Sequence, residues 1–243
     1  KSKQAEIRAA GVRVLQHWQD AMPNVASHLK TAANDPHPRV RLEAVRVAAN
    51  IREENLIPTS MLALDHPQDR FLDYALWLSA WDNRDRWMPE VAAKPAASVF
   101  EKPDHLTFAL LAVGSRDVIP QIVSLVQQGN ISVDRLRSAA GLVASQGSPD
   151  DLGGFLDAAI SGNLEGELQL EVLQVLLNAA RQRRAVPSGA ARGLALFSDS
   201  QPNSTRQIIS EAIGYWRLAE ALAPLQTAAT DAKSPLGLRA AAM

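Results

Sequence analysis

The sequence predicts an all-α protein, an α-solenoid of about seven stacked helical hairpins, and three observations carry that expectation. Only 5% of its 243 residues are aromatic, while Ala and Leu dominate an apolar fraction of 47%. Those two residues lose least on entering a helix. A proline signal and an amphipathic stretch then recur with one shared period. Fixed periods of 20 to 50 residues mark repeat architectures.

The proline signal is two apolar residues followed by Pro. It reads Ala21-Met22-Pro23, Leu56-Ile57-Pro58, Trp87-Met88-Pro89, Val118-Ile119-Pro120, Ala185-Val186-Pro187 and Leu222-Ala223-Pro224, with Asp151-Leu152-Gly153 filling the gap. Successive spacings are 35, 31, 31, 33, 34 and 37 residues. The amphipathic stretches begin at Ile7, Val40, Phe71, Leu106, Leu136, Leu168, Arg206 and Leu238, spaced by 33, 31, 35, 30, 32, 38 and 32. Two unrelated features in step define the repeat.

Each period reads as one hairpin. Its first helix carries the proline near the start, where the missing N–H is not needed. In one hairpin that helix is expected over Pro23–Ala33, with Val25, Leu29 and Ala32 or Ala33 on one face. Asn34-Asp35-Pro36-His37-Pro38 is then a turn, because two prolines and an Asx residue forbid continuation. The second helix is expected over Arg39–Ile51, with Val40, Ala44, Val47, Ala48 and Ile51 at helical spacing. Further loops are expected near 65–69, 129–133, 147–149 and 199–204. Ser148-Pro149-Asp150-Asp151 reads as a capped helix start, and Ser204 to Gln207 has capping-box spacing. Gly129, Gly147 and Gly162 sit where helices should stop. The whole of 1–243 reads as a single repeat domain. Neither end carries a polar capping repeat, so the array is expected to be an internal part of a longer chain.

Composition narrows the chemistry. The formal net charge is −1, without the basic excess that phosphate neutralisation normally demands, which argues against nucleic acid as a partner. The absence of cysteine removes disulfides, thiol nucleophiles, cysteine zinc sites and Cys-x-x-Cys-His haem attachment from this stretch. No run of 18 apolar residues is long enough to span a bilayer. His17, His28, His37, His66 and His105 include no His-x-x-x-His pair, so structural roles are expected and no metal. No phosphate-binding glycine loop, Gly-x-Ser-x-Gly or metal motif occurs. The segment is therefore expected to be non-catalytic and to need no cofactor.

Three local features stand out. Asp35 with Arg41, and Asp65 or Asp69 with Arg70, recur around the hairpin turns and are expected to form a ladder from one turn to the next. Arg181-Gln182-Arg183-Arg184 closes a helix, where cations suit the terminal carbonyls and an anion site is the alternative. The third is Trp77 to Trp87, which holds three of the five tryptophans. Trp77, Trp81, Arg84, Arg86 and Trp87 are the candidate partner-binding residues. Taking Phe71, Ala75 and Leu78 as the core direction puts Trp77 about 240° round the helix, off the central stripe. The alternative is that these rings fill a joint between hairpins, with the arginines paired to Asp82 and Asp85.

Asp35-Pro36-His37-Pro38-Arg39-Val40-Arg41-Leu42-Glu43-Ala44-Val45-Arg46 resembles the HEAT and PBS-lyase-type repeat consensus. A narrower resemblance rests on Asp65-His66-Pro67-Gln68-Asp69-Arg70-Phe71-Leu72-Asp73-Tyr74-Ala75-Leu76-Trp77, followed by Leu106 to Leu110 and Gly141 to Ala144. These stretches look like the HEAT-like region of large secreted planctomycete and verrucomicrobial proteins. In those proteins a propeller resembling sorbosone-type sugar dehydrogenases precedes the helices and a cytochrome c domain follows. The resemblance implies a spacer or interaction module between a dehydrogenase and its haem acceptor, in the periplasm or another extracytoplasmic compartment. Its partners would be protein, or flanking domains of the same chain. None of that family's redox residues falls on this sequence. Two competing readings are a cytosolic HEAT scaffold for protein complexes and a HEAT-like alkylpurine DNA glycosylase with Asp82 as its carboxylate.

Overall fold

A computed structural model describes residues 2–19, 21–52, 54–93, 98–164 and 166–243. The described residues form helices and no strand. Contacts divide the chain into two compact units, Lys1–Val113 and Gly114–Met243.

In the first unit the helices are α1 (Ala5–Trp18), α2 (Val25–Ala33), α3 (Pro38–Asn50), α4 (Ile57–Ser60), α5 (Arg70–Asp82), α6 (Arg84–Ala93) and α7 (Pro103–Val113). A 3-10 segment, Met61–Asp65, continues α4. The odd-numbered helices pack successively, α1 on α3, α3 on α5 and α5 on α7, while α2 packs on α3 and α4. The core between α1, α2 and α3 is built from Ala9, Leu29, Ala33, Val40, Ala44, Val47, Ala48 and Ile51. Burying each larger aliphatic chain contributes about 1.5–3 kcal/mol. The period-of-four pattern in α3 therefore sets the face it buries.

The second unit contains α8 (Ile119–Gln127), α9 (Val133–Gln146), α10 (Pro149–Ile160), α11 (Gly166–Arg183), α12 (Asn203–Trp216), α13 (Leu222–Thr230) and α14 (Leu236–Ala241). Its 3-10 segments are Arg116–Val118, Ala190–Phe197 and Ala219–Ala221. Here α9 packs on α11, α11 on α12 and α12 on α14, while α8 packs on α10. Glycine permits the closest approaches. A Cβ at Gly154 would lie 2.5 Å from Val123 Cγ1, and one at Gly153 would lie 2.9 Å from the Ser188 carbonyl. Such distances demand rearrangement.

Local signals explain most boundaries. Ser148 caps α10 in a full capping box, with its hydroxyl accepting from Asp151 N while the Asp151 carboxylate accepts from Ser148 N. At the end of α8, Gly129 (φ 67°) lets its own N–H reach Val126 O and the Asn130 N–H reach Leu125 O. This is the left-handed helix stop that glycine makes cheaply. Gly162 takes φ 77° beyond α10.

Other expectations are corrected. Pro23 lies outside α2, which starts at Val25 after Asn24 in the left-handed region. Pro89 falls inside α6 because Asn83 alone separates α5 from α6, so the second helix begins five residues early. The segments after Pro58 and Pro187 wind largely as 3-10 turns. Ser204 is no cap: α12 already begins at Asn203, and Pro202 before it has no side-chain acceptor.

Candidate functional site

Helix α5 has two opposed apolar faces, and only one is buried. Asp69 starts the helix, its Oδ1 accepting from Phe71 N and Leu72 N at 2.9 Å each. Leu72, Leu76, Ser79 and Ala80 face the core. Asn83 closes the helix by donating Nδ2–H to Ser79 O at 3.0 Å. At about 100° per residue these positions fall on one side. The opposite side carries Phe71, Tyr74, Trp77 and Trp81, all exposed, at 60, 61, 40 and 39%. Phe71 therefore marks the solvent side, correcting the core direction expected from Phe71, Ala75 and Leu78. The core line runs one residue later, through Leu72 and Leu76.

The exposed rings form a ladder. Tyr74 and Trp77 stack with centroids 6.1 Å apart and planes 16° from parallel, and Trp77 and Trp81 repeat this at 6.2 Å and 12°. Arginines bracket it. The Arg84 guanidinium sits 4.4 Å from the Trp81 ring centre, and that of Arg70 sits 4.7 Å from the Phe71 ring centre. Each cation–π contact of this exposed kind is worth about 0.5–1 kcal/mol. Arg84 also donates Nη1–H to Trp81 O at 2.9 Å. Offset stacks satisfy the ring quadrupoles. Trp77 is stacked on both neighbours and remains 40% exposed. The ladder is thus a rigid apolar ridge with indole N–H groups and guanidiniums along it.

Two of the five expected residues do not belong to this surface. Trp87 is fully buried, donates Nε1–H to Ala80 O at 2.9 Å and meets Phe100 edge-on at 5.7 Å. The turn at Asn83 reverses its side relative to Trp77 and Trp81. Arg86 binds backbone carbonyls, donating Nη1–H to Ile51 O at 2.8 Å and Nη2–H to Arg52 O at 2.9 Å and to Glu54 O. It satisfies acceptors that the end of α3 leaves open. Conversely, sequence reasoning missed Phe71 and Tyr74 as members of the stripe. The spacing 71, 74, 77 and 81, set against 72, 76, 79 and 80, is the signal that locates them.

The turn ladder takes a different form from the one expected. Asp35 is paired with Arg8 from α1, through Nε at 2.7 Å and Nη2 at 2.8 Å. Its hydrogen bond holds the Arg8 guanidinium above its usual pKa, while partial burial opposes. Arg41, only 2% exposed, donates to the carbonyls of Asp35 and Pro36 and to that of Pro67 in the following turn. Burial pushes its pKa down, and Asp35 and Asp69 push it up. Among the described residues Arg70 makes no ion pair with Asp65 or Asp69. Asp69 caps α5, and Asp65 accepts from Lys102 at 2.8 Å and His105 at 3.0 Å. Burial raises the Asp65 pKa, but the bonds from Lys102 and His105 outweigh it and hold the carboxyl below its usual range.

Two histidines serve the turns. His37 Nδ1 accepts from Arg39 N at 3.2 Å, capping α3. His66 Nε2 lies 3.4 Å from Asn34 Oδ1. Among the described residues no three His, Asp or Glu side chains come together to hold a metal ion. No helix among them is long and apolar enough to cross a membrane. Comparison of the chain with protein-family models, curated proteins and solved structures gives no match.

Proposed function

We propose that this chain is a non-catalytic interaction module, a HEAT-like α-solenoid of about seven hairpins whose α5 ridge docks another protein or a flanking domain. The supporting observation is the exposed ladder of Tyr74, Trp77 and Trp81 between Arg70 and Arg84. Tryptophan, tyrosine and arginine dominate interface hot spots, where truncation often costs about 2 kcal/mol or more. The core that α5 buries through Leu72 and Leu76 does not require four aromatic rings on the opposite side. The repeat reading draws support from the 30- to 38-residue period and from each odd-numbered helix of the first unit packing on the next. By resemblance, the module joins a propeller dehydrogenase to a cytochrome c domain in an extracytoplasmic protein. Base stacking is the weaker reading, because a formal net charge of −1 lacks the basic excess that a nucleic-acid surface needs.

A photo-crosslinking phenylalanine analogue at position 77, placed in the native gene in its own host, tests this reading. The expected result is crosslinking to one defined polypeptide segment, weakened at least tenfold when Trp81→Ala is added and the thermal midpoint stays in place. A dispersed crosslinking pattern, or a midpoint that collapses with Trp77→Ala and Trp81→Ala, overturns it.

A further inference from the structure

Beside the aromatic ridge of α5 runs a cationic strip on α3. The two helices pack together, have 13 residues each and are pinned to one another at both ends. At one end Arg41, in the first turn of α3, donates to Pro67 O just before α5. At the other end Arg86, just after α5, donates Nη1–H to Ile51 O just after α3, at 2.8 Å. The helices therefore run in the same direction, and each position of α3 has its counterpart 32 residues later in α5. Packed helices lie about 8–10 Å apart. Arg39 thus falls at the level of Phe71, and Arg46 at the level of Leu78. Arg39 and Arg46 are exposed, as Phe71, Tyr74, Trp77 and Trp81 are, so strip and ridge share one solvent face.

The charge on that strip is poorly matched within the fold. Among the described residues Arg39 makes no ion pair. Arg46 and Arg13 of α1 share the single carboxylate of Glu43, at 3.6 and 3.4 Å, and both stay more than half exposed. Those distances are longer than a normal N–H···O hydrogen bond. Arg70 and Arg84 add two more guanidiniums, lying on rings at the two ends of the ridge. Exposed guanidinium forks suit carboxylates, which they can engage through two oxygens at once. Acids also interrupt the surface: Asp73 on α5, Asp82 at its end and Asp85 just beyond are all exposed. A nucleic-acid strand, charged at every phosphate, would have to pass them. A peptide can place carboxylates only where arginines stand.

We propose, resting on the docking role of α5, that the partner is an acidic and apolar protein segment. Its apolar side chains lie on Tyr74, Trp77 and Trp81, and its carboxylates meet Arg39 and Arg46. The test pans a phage-displayed library of random peptides, about 16 residues long, on the whole chain. Clones retained by the wild type and lost on a Trp77→Ala, Trp81→Ala variant are ridge-dependent. They are expected to combine aromatic or aliphatic residues with an excess of Asp and Glu over Lys and Arg. As synthetic peptides they are expected to bind an Arg39→Gln, Arg46→Gln variant at least tenfold more weakly, with its thermal midpoint in place. Ridge-dependent clones that are neutral or basic overturn the acidic partner and leave the docking role standing. So do acidic clones that bind the glutamine variant as well as wild type. A lowered midpoint in that variant also overturns it, since the arginines would then serve the fold. A thymidine oligonucleotide of the same length that binds the ridge more tightly than the best peptide overturns it in favour of nucleic acid. A library without any ridge-dependent clone removes the docking role itself, and this proposal with it.

Discussion

In the first unit, the guanidiniums that join α1, α3 and α5 at their turn end are half-buried (Arg8) or buried (Arg41), whereas in the second unit the arginine–carboxylate pairs between α9, α11 and α12 run along exposed flanks. Arg8 grips Asp35, and Arg41 reaches three carbonyls across two turns. In the second unit, Arg137 of α9 reaches Glu167 and Glu171 of α11, and Arg181 of α11 reaches Glu211 of α12. Arg183, an exposed residue of α11, also donates to backbone, to Ala144 O at 2.8 Å and to Gly147 O at the end of α9. Chemically the pairs look alike. Their surroundings decide their weight: a guanidinium that satisfies buried carbonyls leaves several acceptors stranded when removed, whereas an exposed pair exchanges its partner for water.

The largest effect is expected for Arg41→Ala. It strands the carbonyls of Asp35, Pro36 and Pro67 and opens a hole under a residue 2% exposed. A loss of about 3 kcal/mol should appear in urea unfolding; a loss below about 1 kcal/mol would erase the contrast between the units. A smaller effect follows from Asp65. Its carboxyl is held below its usual range, so its stabilising share is complete above about pH 4 and fades as pH falls through its folded value. Asp65→Asn should flatten the acid limb of the stability profile below about pH 4. An acid limb of unchanged slope would show that Lys102 and His105 do little there. Arg137→Ala should be nearly silent in the unfolding midpoint. A clear fall in that midpoint would give the exposed pairs the weight assigned here to the buried ones.

Much of this arrangement was legible in the sequence. The period located the helices, and in α3 the expected positions Val40, Ala44, Val47 and Ala48 are buried, as is Ile51 just past its end, although Arg41, Glu43 and Val45 are buried as well. The breaks at 34–37, 66–69, 147–148 and 198–202 fall where Pro, Asx and Gly residues put them. The partners of charged groups were not legible. Arg8 and Asp35 meet across 27 residues, and nothing local distinguishes Arg8 from Arg41 or Arg70 as the grip on that carboxylate. The candidate site was half legible. Trp77 and Trp81 stood out as aromatic neighbours, but α5 is apolar on both sides, so periodicity alone could not say whether Phe71 or Leu72 faced inward. Asn83 decided the rest. A one-residue break sends Trp87 into the core and Arg86 onto backbone carbonyls, and single-residue breaks leave little trace in a pattern of period 3.6.

The split among the tryptophans gives the chain a built-in optical readout. Trp87 and Trp216 are enclosed by protein, while Trp18, Trp77 and Trp81 face solvent. Enclosed indoles emit at shorter wavelength than hydrated ones, so loss of tertiary packing and loss of the exposed surface report in different parts of one emission band. The stacking of Trp77 on Trp81, with ring centres 6.2 Å apart, adds a second channel, because two indole transitions that close couple and give a circular-dichroism couplet wherever their transition moments are not parallel. A bound protein that parts the two rings would quench that couplet and leave Trp87 dark to the event. A protein that settles on the ridge intact would shift the emission and spare the couplet. Unlabelled material can thus tell wedging from capping.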